Sequence, residues 1–150
     1  MPRKNYQKSH QGYREHLGVS VRSSWENNVL LWLTGQGYSW EYEPTIFYFE
    51  KIKRGTRGYT PDIKLTGQKK KSFNDDYIWI EVKGYLKPQD KTKMKRLKKY
   101  WPEEFARMQV ITKCENNPAT KFYREMGIPV FAFYDDLKAL NVEKPIKNWE

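Results

Sequence analysis

Cysteine and histidine are scarce in this 150-residue sequence, which holds one Cys and two His. The single Cys114 excludes an internal disulfide and a metal site built from thiolates alone. It reads as a lone structural or surface thiol rather than a nucleophile. No run approaches the roughly 18 apolar residues of a spanning helix, and no apolar signal core follows the basic N-terminus. A cytoplasmic protein without a membrane partner is the expectation. Acids are also in the minority, with 18 Asp and Glu against 28 Lys and Arg, a net charge of +10. With a pI near 9.6, that excess favours a polyanion, nucleic acid before an anionic membrane surface.

What is present points to a folded chain of one domain. Apolar residues make up 38%, below the usual share, yet aromatic residues reach 16%, and disordered chains lack such large side chains. The length suits a single core. No repeat, linker or low-complexity tract divides it.

Residues 1–22 carry Arg3, Lys4, Lys8, Arg14 and Arg22 against one acid, Glu15. Tyr6, His10, Tyr13 and His16 are interleaved among them without helical or strand period. This stretch reads as a flexible basic arm, either touching phosphates and bases or simply solvated. From Ser23 the spacing of Trp25, Val29, Trp32 and Leu33 predicts a helix that stops at Gly35 and Gly37. Glu26 lies at the edge of its apolar stripe. Two roles are open to it: a capping-box bond back to Ser23, or a carboxylate facing the protein body.

Tyr38 to Phe49 reads as a bent aromatic strand interrupted by Pro44. Lys51, Lys53, Arg54 and Arg57 then surround Gly55 and Gly58, a turn that either reaches along a DNA groove or is solvated. A second strand is expected over 58–65 and a polar loop over 66–76. In the third, over 77–83, Ile78, Ile80 and Val82 point one way while Tyr77, Trp79, Glu81 and Lys83 point the other. Asp90 is expected to cap the next helix, which ends at Trp101-Pro102 and carries Lys87, Lys91, Lys93 and Lys95 near its start. A fourth strand over 108–112, a helix over 118–126, a fifth buried strand over 128–134 and a short last turn complete the reading. The fold class is α/β, a central mixed sheet of about five strands with helices on its faces and the acids clustered at one edge.

The chemistry concentrates in Tyr59-Thr60-Pro61-Asp62 and Ile80-Glu81-Val82-Lys83-Gly84. Hydrolysing a phosphodiester needs a positioned water, charge neutralisation and help for the leaving oxygen, which one or two hard cations on carboxylates supply. Asp62 and Glu81 are the expected metal ligands, with the Val82 carbonyl beside them. Lys83 could orient or deprotonate the water, or hold the phosphate. The plainer alternative is a surface ion pair between Glu81 and Lys83.

Arg22-Ser23-x-x-Glu26, Glu41-Tyr42-Glu43, Pro61-Asp62 and Glu81-x-Lys83-Gly84, in this order, resemble the motifs of the PD-(D/E)xK nuclease superfamily. The likeness is greatest to the phage-type endonuclease I family of Holliday-junction resolvases, and spans Arg22 to Gly84. It implies a restriction-endonuclease-like core in a nuclease domain over 23–150, and catalytic roles for Glu26, Asp62, Glu81 and Lys83. It further implies Mg²⁺ or Mn²⁺ as cofactor with no organic one, and a homodimer acting on branched DNA in phage DNA processing, in the host cytoplasm. Lys53, Arg54, Arg57, Lys87, Lys91, Lys93 and Lys95 are the candidate nucleic-acid contacts. The chain departs from the family in its basic insertion over 66–76 and its Lys51 to Arg57 turn. Restriction, nicking and transposon-end enzymes share such a core. Outside that chemistry, the rivals are a non-catalytic nucleic-acid-binding module and a basic surface that meets an acidic protein.

Overall fold

The computed structural model describes residues 11–68, 71–72 and 76–150. Its centre is a mixed sheet whose five-strand path combines β3 (Tyr38–Tyr42), β6 (Ile63–Gln68), β8 (Ile78–Lys83), β9 (Met108–Thr112) and β10 (Val130–Phe133). The strand order is β10-β9-β8-β6-β3. The β3/β6 and β6/β8 pairs are antiparallel, while β8/β9 and β9/β10 are parallel. Each parallel pair needs a crossover. Helices α2 (Pro88–Tyr100) and α3 (Pro102–Phe105) carry the first and α4 (Pro118–Glu125) the second.

The alternation of β8 separates two cores, as a strand period of two requires. Trp79 faces Met94, Leu97, Met108, Val110 and Tyr123. Ile80 packs beside Ile63 of β6 and with Val29, Leu30, Leu33 and Leu137, which come from helices α1 (Ser24–Gly35) and α5 (Tyr134–Glu143). The α/β architecture of a five-strand mixed sheet flanked by helices is therefore as expected. Among the described residues, no helix is long and apolar enough to cross a membrane.

Several local expectations need correction. The arm expected over 1–22 is folded in its second half: β1 (Gly12–Arg14) pairs antiparallel with β2 (Val19–Val21). Leu17 and Gly18 close the turn by donating to the Arg14 carbonyl, Gly18 at φ 73°. Val21 is buried, and Arg14 is buried against Glu150, with Nε 2.6 Å from Oε2. The basic residues over 1–10 lie outside the described residues.

The bent strand over 38–49 is two strands, because Glu43 (φ 45°) and Pro44 turn the chain out of the sheet. Its second part, β4 (Phe47–Tyr48), pairs with β5 (Gly58–Tyr59) in a separate ribbon. Pro61-Asp62 likewise divides β5 from β6, since proline offers no N–H to a ladder. Beyond Leu65, β6 runs on to Gln68 and pairs with β7 (Lys71–Ser72) where a polar loop was expected. Lys69 and Lys70 of that loop lie outside the described residues. The fifth strand is a half-buried edge rather than a buried one, and the last turn is the ten-residue helix α5.

Candidate active site

Strand register brings the acids together. Ile63 pairs with Ile80 across β6 and β8, and Tyr42 pairs with Ile63 across β3 and β6. Continuing both registers one residue sets Asp62 between Glu43 and Glu81. Two backbone contacts fix the alignment: Val82 N–H donates to Asp62 Oδ2 at 2.8 Å, and Glu43 N–H donates to the Asp62 carbonyl at 2.8 Å. The acids thus meet at strand ends, Glu43 just after β3, Asp62 just before β6 and Glu81 near the end of β8. This is the strand-end edge of the sheet, as the sequence suggested, with Glu43 following the outermost strand β3.

Glu26 enters from the first turn of α1 and is only 6% exposed. Ser23 caps that helix, accepting from Glu26 N–H at 3.2 Å, while its hydroxyl donates to Glu26 Oε1 at 3.1 Å. The other carboxylate oxygen accepts from the Tyr42 hydroxyl. Glu26 therefore takes part in the cap through its backbone while its carboxylate faces the cleft. One oxygen each from Glu26, Glu43 and Asp62 lie within 4.8 Å of one another.

The four expected catalytic residues, Glu26, Asp62, Glu81 and Lys83, line one cleft of about 400 Å³. Arg22, Glu43, Tyr59, Lys87, Asp90 and Lys93 share its wall. Glu81 accepts from the buried Tyr59 hydroxyl. Lys83 Nζ stands 3.5 Å from Glu81 Oε1 and 3.0 Å from Asp90 Oδ1.

Burial and mutual repulsion dominate the electrostatics. At an effective dielectric near 20, two full charges 4.8 Å apart repel by about 3.5 kcal/mol. Burial first, then the charges of Glu81 and Glu26, push the Asp62 carboxyl well above its usual range, against the opposing Val82 N–H and Lys83. Burial also raises Glu26, although the Tyr42 and Ser23 hydroxyls and Arg22 act the other way. Glu81 is raised by burial too, with Lys83 as the main opposing charge. For Lys83, burial disfavours the ammonium, but Glu81, Asp90 and Asp62 outweigh it and hold its pKa above the ordinary value. Without a bound cation, these neighbours favour the ammonium form of Lys83.

Of the seven expected nucleic-acid contacts, Lys87 and Lys93 line the cleft. Lys91 sits over the Phe122 ring and Lys95 is exposed farther along α2, both outside the cleft lining. Lys53, Arg54 and Arg57 are exposed on the β4–β5 turn, also outside it. That turn is nonetheless tied to α2, because Arg96 donates to the Thr56 carbonyl. The two basic segments therefore form one connected surface beside the cleft.

Sequence reasoning missed Glu43 and placed Asp90 at the wrong position of the helix cap. Glu43 belongs to the quoted Glu41-Tyr42-Glu43 motif, but only the turn at Pro44 shows which acid faces Asp62. Asp90 helps to cap the helix, but from its third position and not as the N-cap. With Pro88 at the first helical position, the N-cap is Lys87, and Asp90 accepts from Lys87 N–H at 2.7 Å. The preference of proline for that position was the available signal.

No family model matches the chain, and neither a curated protein nor a solved structure matches it.

Proposed function

We propose that this protein is a metal-dependent DNA endonuclease with a restriction-endonuclease-like core. Its suggested substrates are branched or distorted duplexes in phage DNA processing, cut by a homodimer. The observation that carries the reading is the meeting of Glu26, Glu43 and Asp62 with the Glu81–Lys83 pair in one cleft with cations in its wall. The motif resemblance from Arg22 to Gly84 supports it.

The donor set suits a hard divalent cation. The grouped donors are carboxylate oxygens, and among the described residues none that lines the cleft carries a thiol or imidazole, the selection expected for magnesium or manganese. Burial raises the carboxyl pKa values of Glu26 and Asp62, and like charge adds to it, from Glu43 on Glu26 and from Glu81 and Glu26 on Asp62, a repulsion that a divalent cation would relieve. Glu26, Glu43 and Asp62 would hold the ion, with Glu81 beside Asp62. A bound Mg²⁺ or Mn²⁺ supplies charge neutralisation at the phosphate and a more acidic water.

The chain's own groups do the rest. Lys83, as the ammonium, neutralises a phosphate oxygen as negative charge develops there. Tyr42 and Tyr59 hold the carboxylates of Glu26 and Glu81 in place through their hydroxyls. Arg22 ties down Glu43, with Nε 2.7 Å from Oε1. Lys87 and Lys93 meet flanking phosphates, and the surface of α2 with the β4–β5 turn extends that contact.

The test is cleavage of labelled four-way junctions, linear duplexes and single strands with Mg²⁺, Mn²⁺ or EDTA, by wild type and Asp62→Ala. Junction cutting that needs both metal and Asp62 is the expected result. Metal-dependent cutting of linear DNA alone would keep the nuclease and discard the junction preference. Tight, salt-sensitive binding without cutting would replace the reading with a binding module. Neither binding nor cutting would turn attention to an acidic protein partner.

A further inference from the structure

Asp90 is a buried carboxylate, 7% exposed, and both of its oxygens are engaged. One accepts from the Lys87 backbone at 2.7 Å and the other from Lys83 Nζ at 3.0 Å. The first contact fixes Asp90 to the opening turn of α2. The second therefore fixes Lys83 to the same turn, alongside Lys87 and Lys93 of the cleft wall. Lys83 also has a rival anion, Glu81, 3.5 Å away. Were Asp90 absent, the ammonium would be left with Glu81 as its near partner and would compete there with a divalent cation.

We infer that Asp90 is a positioning residue: it draws Lys83 towards the α2 side of the cleft, nearer to Asp90 than to Glu81, and so weakens the ammonium's competition with a divalent cation at Glu81. This rests on the metal-dependent reading above. Asp90 touches neither substrate nor metal in this role and acts through Lys83 alone. The contact also makes one unit of the ammonium and the first turn of α2, so a backbone phosphate docked on Lys87 and Lys93 meets Lys83 in fixed register. Asparagine at position 90 would keep an oxygen for the Lys87 N–H, but it would lose the charge that draws Lys83 away from Glu81.

The test is Mn²⁺ binding by the full chain, followed by electron paramagnetic resonance without nucleic acid, for wild type, Asp90→Asn, Lys83→Met and the double variant. Asp90→Asn should weaken Mn²⁺ binding by about tenfold, the scale of a lost supporting interaction at a metal site. In the Lys83→Met background it should change nothing further, because the competitor is gone. Unchanged affinity in Asp90→Asn would overturn the inference. So would an equal loss with and without Lys83, which would mark a general effect on α2. Should Asp90→Asn melt before the assay temperature, Asp90→Glu serves instead, with a smaller loss in the same direction expected and no loss contradicting. Cleavage assays separate the two readings. DNA cutting by wild type with Asp90→Asn equal in Mn²⁺ affinity would keep the nuclease and discard the positioning role. The predicted Mn²⁺ pattern without cutting would do the reverse.

Discussion

The two halves of the cleft hold similar acids with different amounts of counter-charge. Around Glu81 the chain supplies its own counter-charge, since Lys83 stands between Glu81 and Asp90 at 3.5 and 3.0 Å. Around Asp62 it supplies less, through the Val82 N–H and the more distant charge of Lys83. Glu26, Glu43 and Asp62 crowd within 4.8 Å, and the cation at that end, Arg22, pairs with Glu43 from an exposed position. The ordinary outcome for buried acids is pairing. On the proposed reading, the acid-rich half takes a cation from solution and Lys83 of the other half meets the phosphate, with Glu81 between the two. Charge compensation would then separate two tasks that residue types alone would merge.

Removing the acid at the junction of the halves should have the largest effect. Asp62→Ala should lower the metal-dependent single-turnover cleavage rate by at least about 10³-fold, because it touches both the metal ligands and the strand register. Protein–DNA affinity in EDTA should be unchanged or tighter, since a negative charge is lost. Next comes the balanced half. Lys83→Met should slow cleavage by about 10²-fold while leaving Mn²⁺ binding at least as tight as in wild type, a split that a shared metal site would not give. Glu43→Gln should raise the Mg²⁺ midpoint of cleavage by about tenfold with the saturated rate little changed. A loss in rate without a change in midpoint would move Glu43 out of the metal site.

The smallest effect is on stability, and its sign follows from linkage. The folded-state pKa of Asp62 lies well above its ordinary value of 3.8, so the folded state holds that proton more tightly than the unfolded chain does. The destabilisation from its ionised form is absent below the unfolded value and complete above the raised one. Without metal, Asp62→Asn should therefore melt about 2–4 °C above wild type at pH 8, and the gap should close as the pH falls towards 4. Magnesium should raise the wild type alone at pH 8. A gap that ignores pH would show that Asp62 carries no unmet charge.

What the sequence made legible was local. Ser23 and the spacing of Trp25, Val29 and Leu33 marked α1, and the alternation from Ile78 to Lys83 placed Glu81 and Lys83 on one side of β8. Pro61-Asp62 beside that strand was enough to bring Asp62, Glu81 and Lys83 into one cleft. The misses depend on distant partners. The β1–β2 hairpin is held by Arg14 reaching Glu150 at the far end of the chain, and a buried arginine looks like a solvated one until its partner is known. The C-terminal stretch docks through Asn27 and Asn28, whose side-chain amides donate to the Asn148 and Glu150 carbonyls, contacts without any local period. Glu43 entered the acid group through one turn at Pro44, and Asp90 through its place two residues after Pro88. Both positions depend on backbone geometry more than on residue type.

The most direct measurement is calorimetric titration of Mg²⁺ into the protein near pH 6 in two buffers of different ionisation enthalpy. If Glu26 and Asp62 carry raised pKa values and serve the metal, binding must expel protons. Net proton release that disappears in Asp62→Ala is the predicted result. Binding without proton release, or equal binding by Asp62→Ala, would contradict the central claim that the acid-rich half of this cleft is built to take a divalent cation.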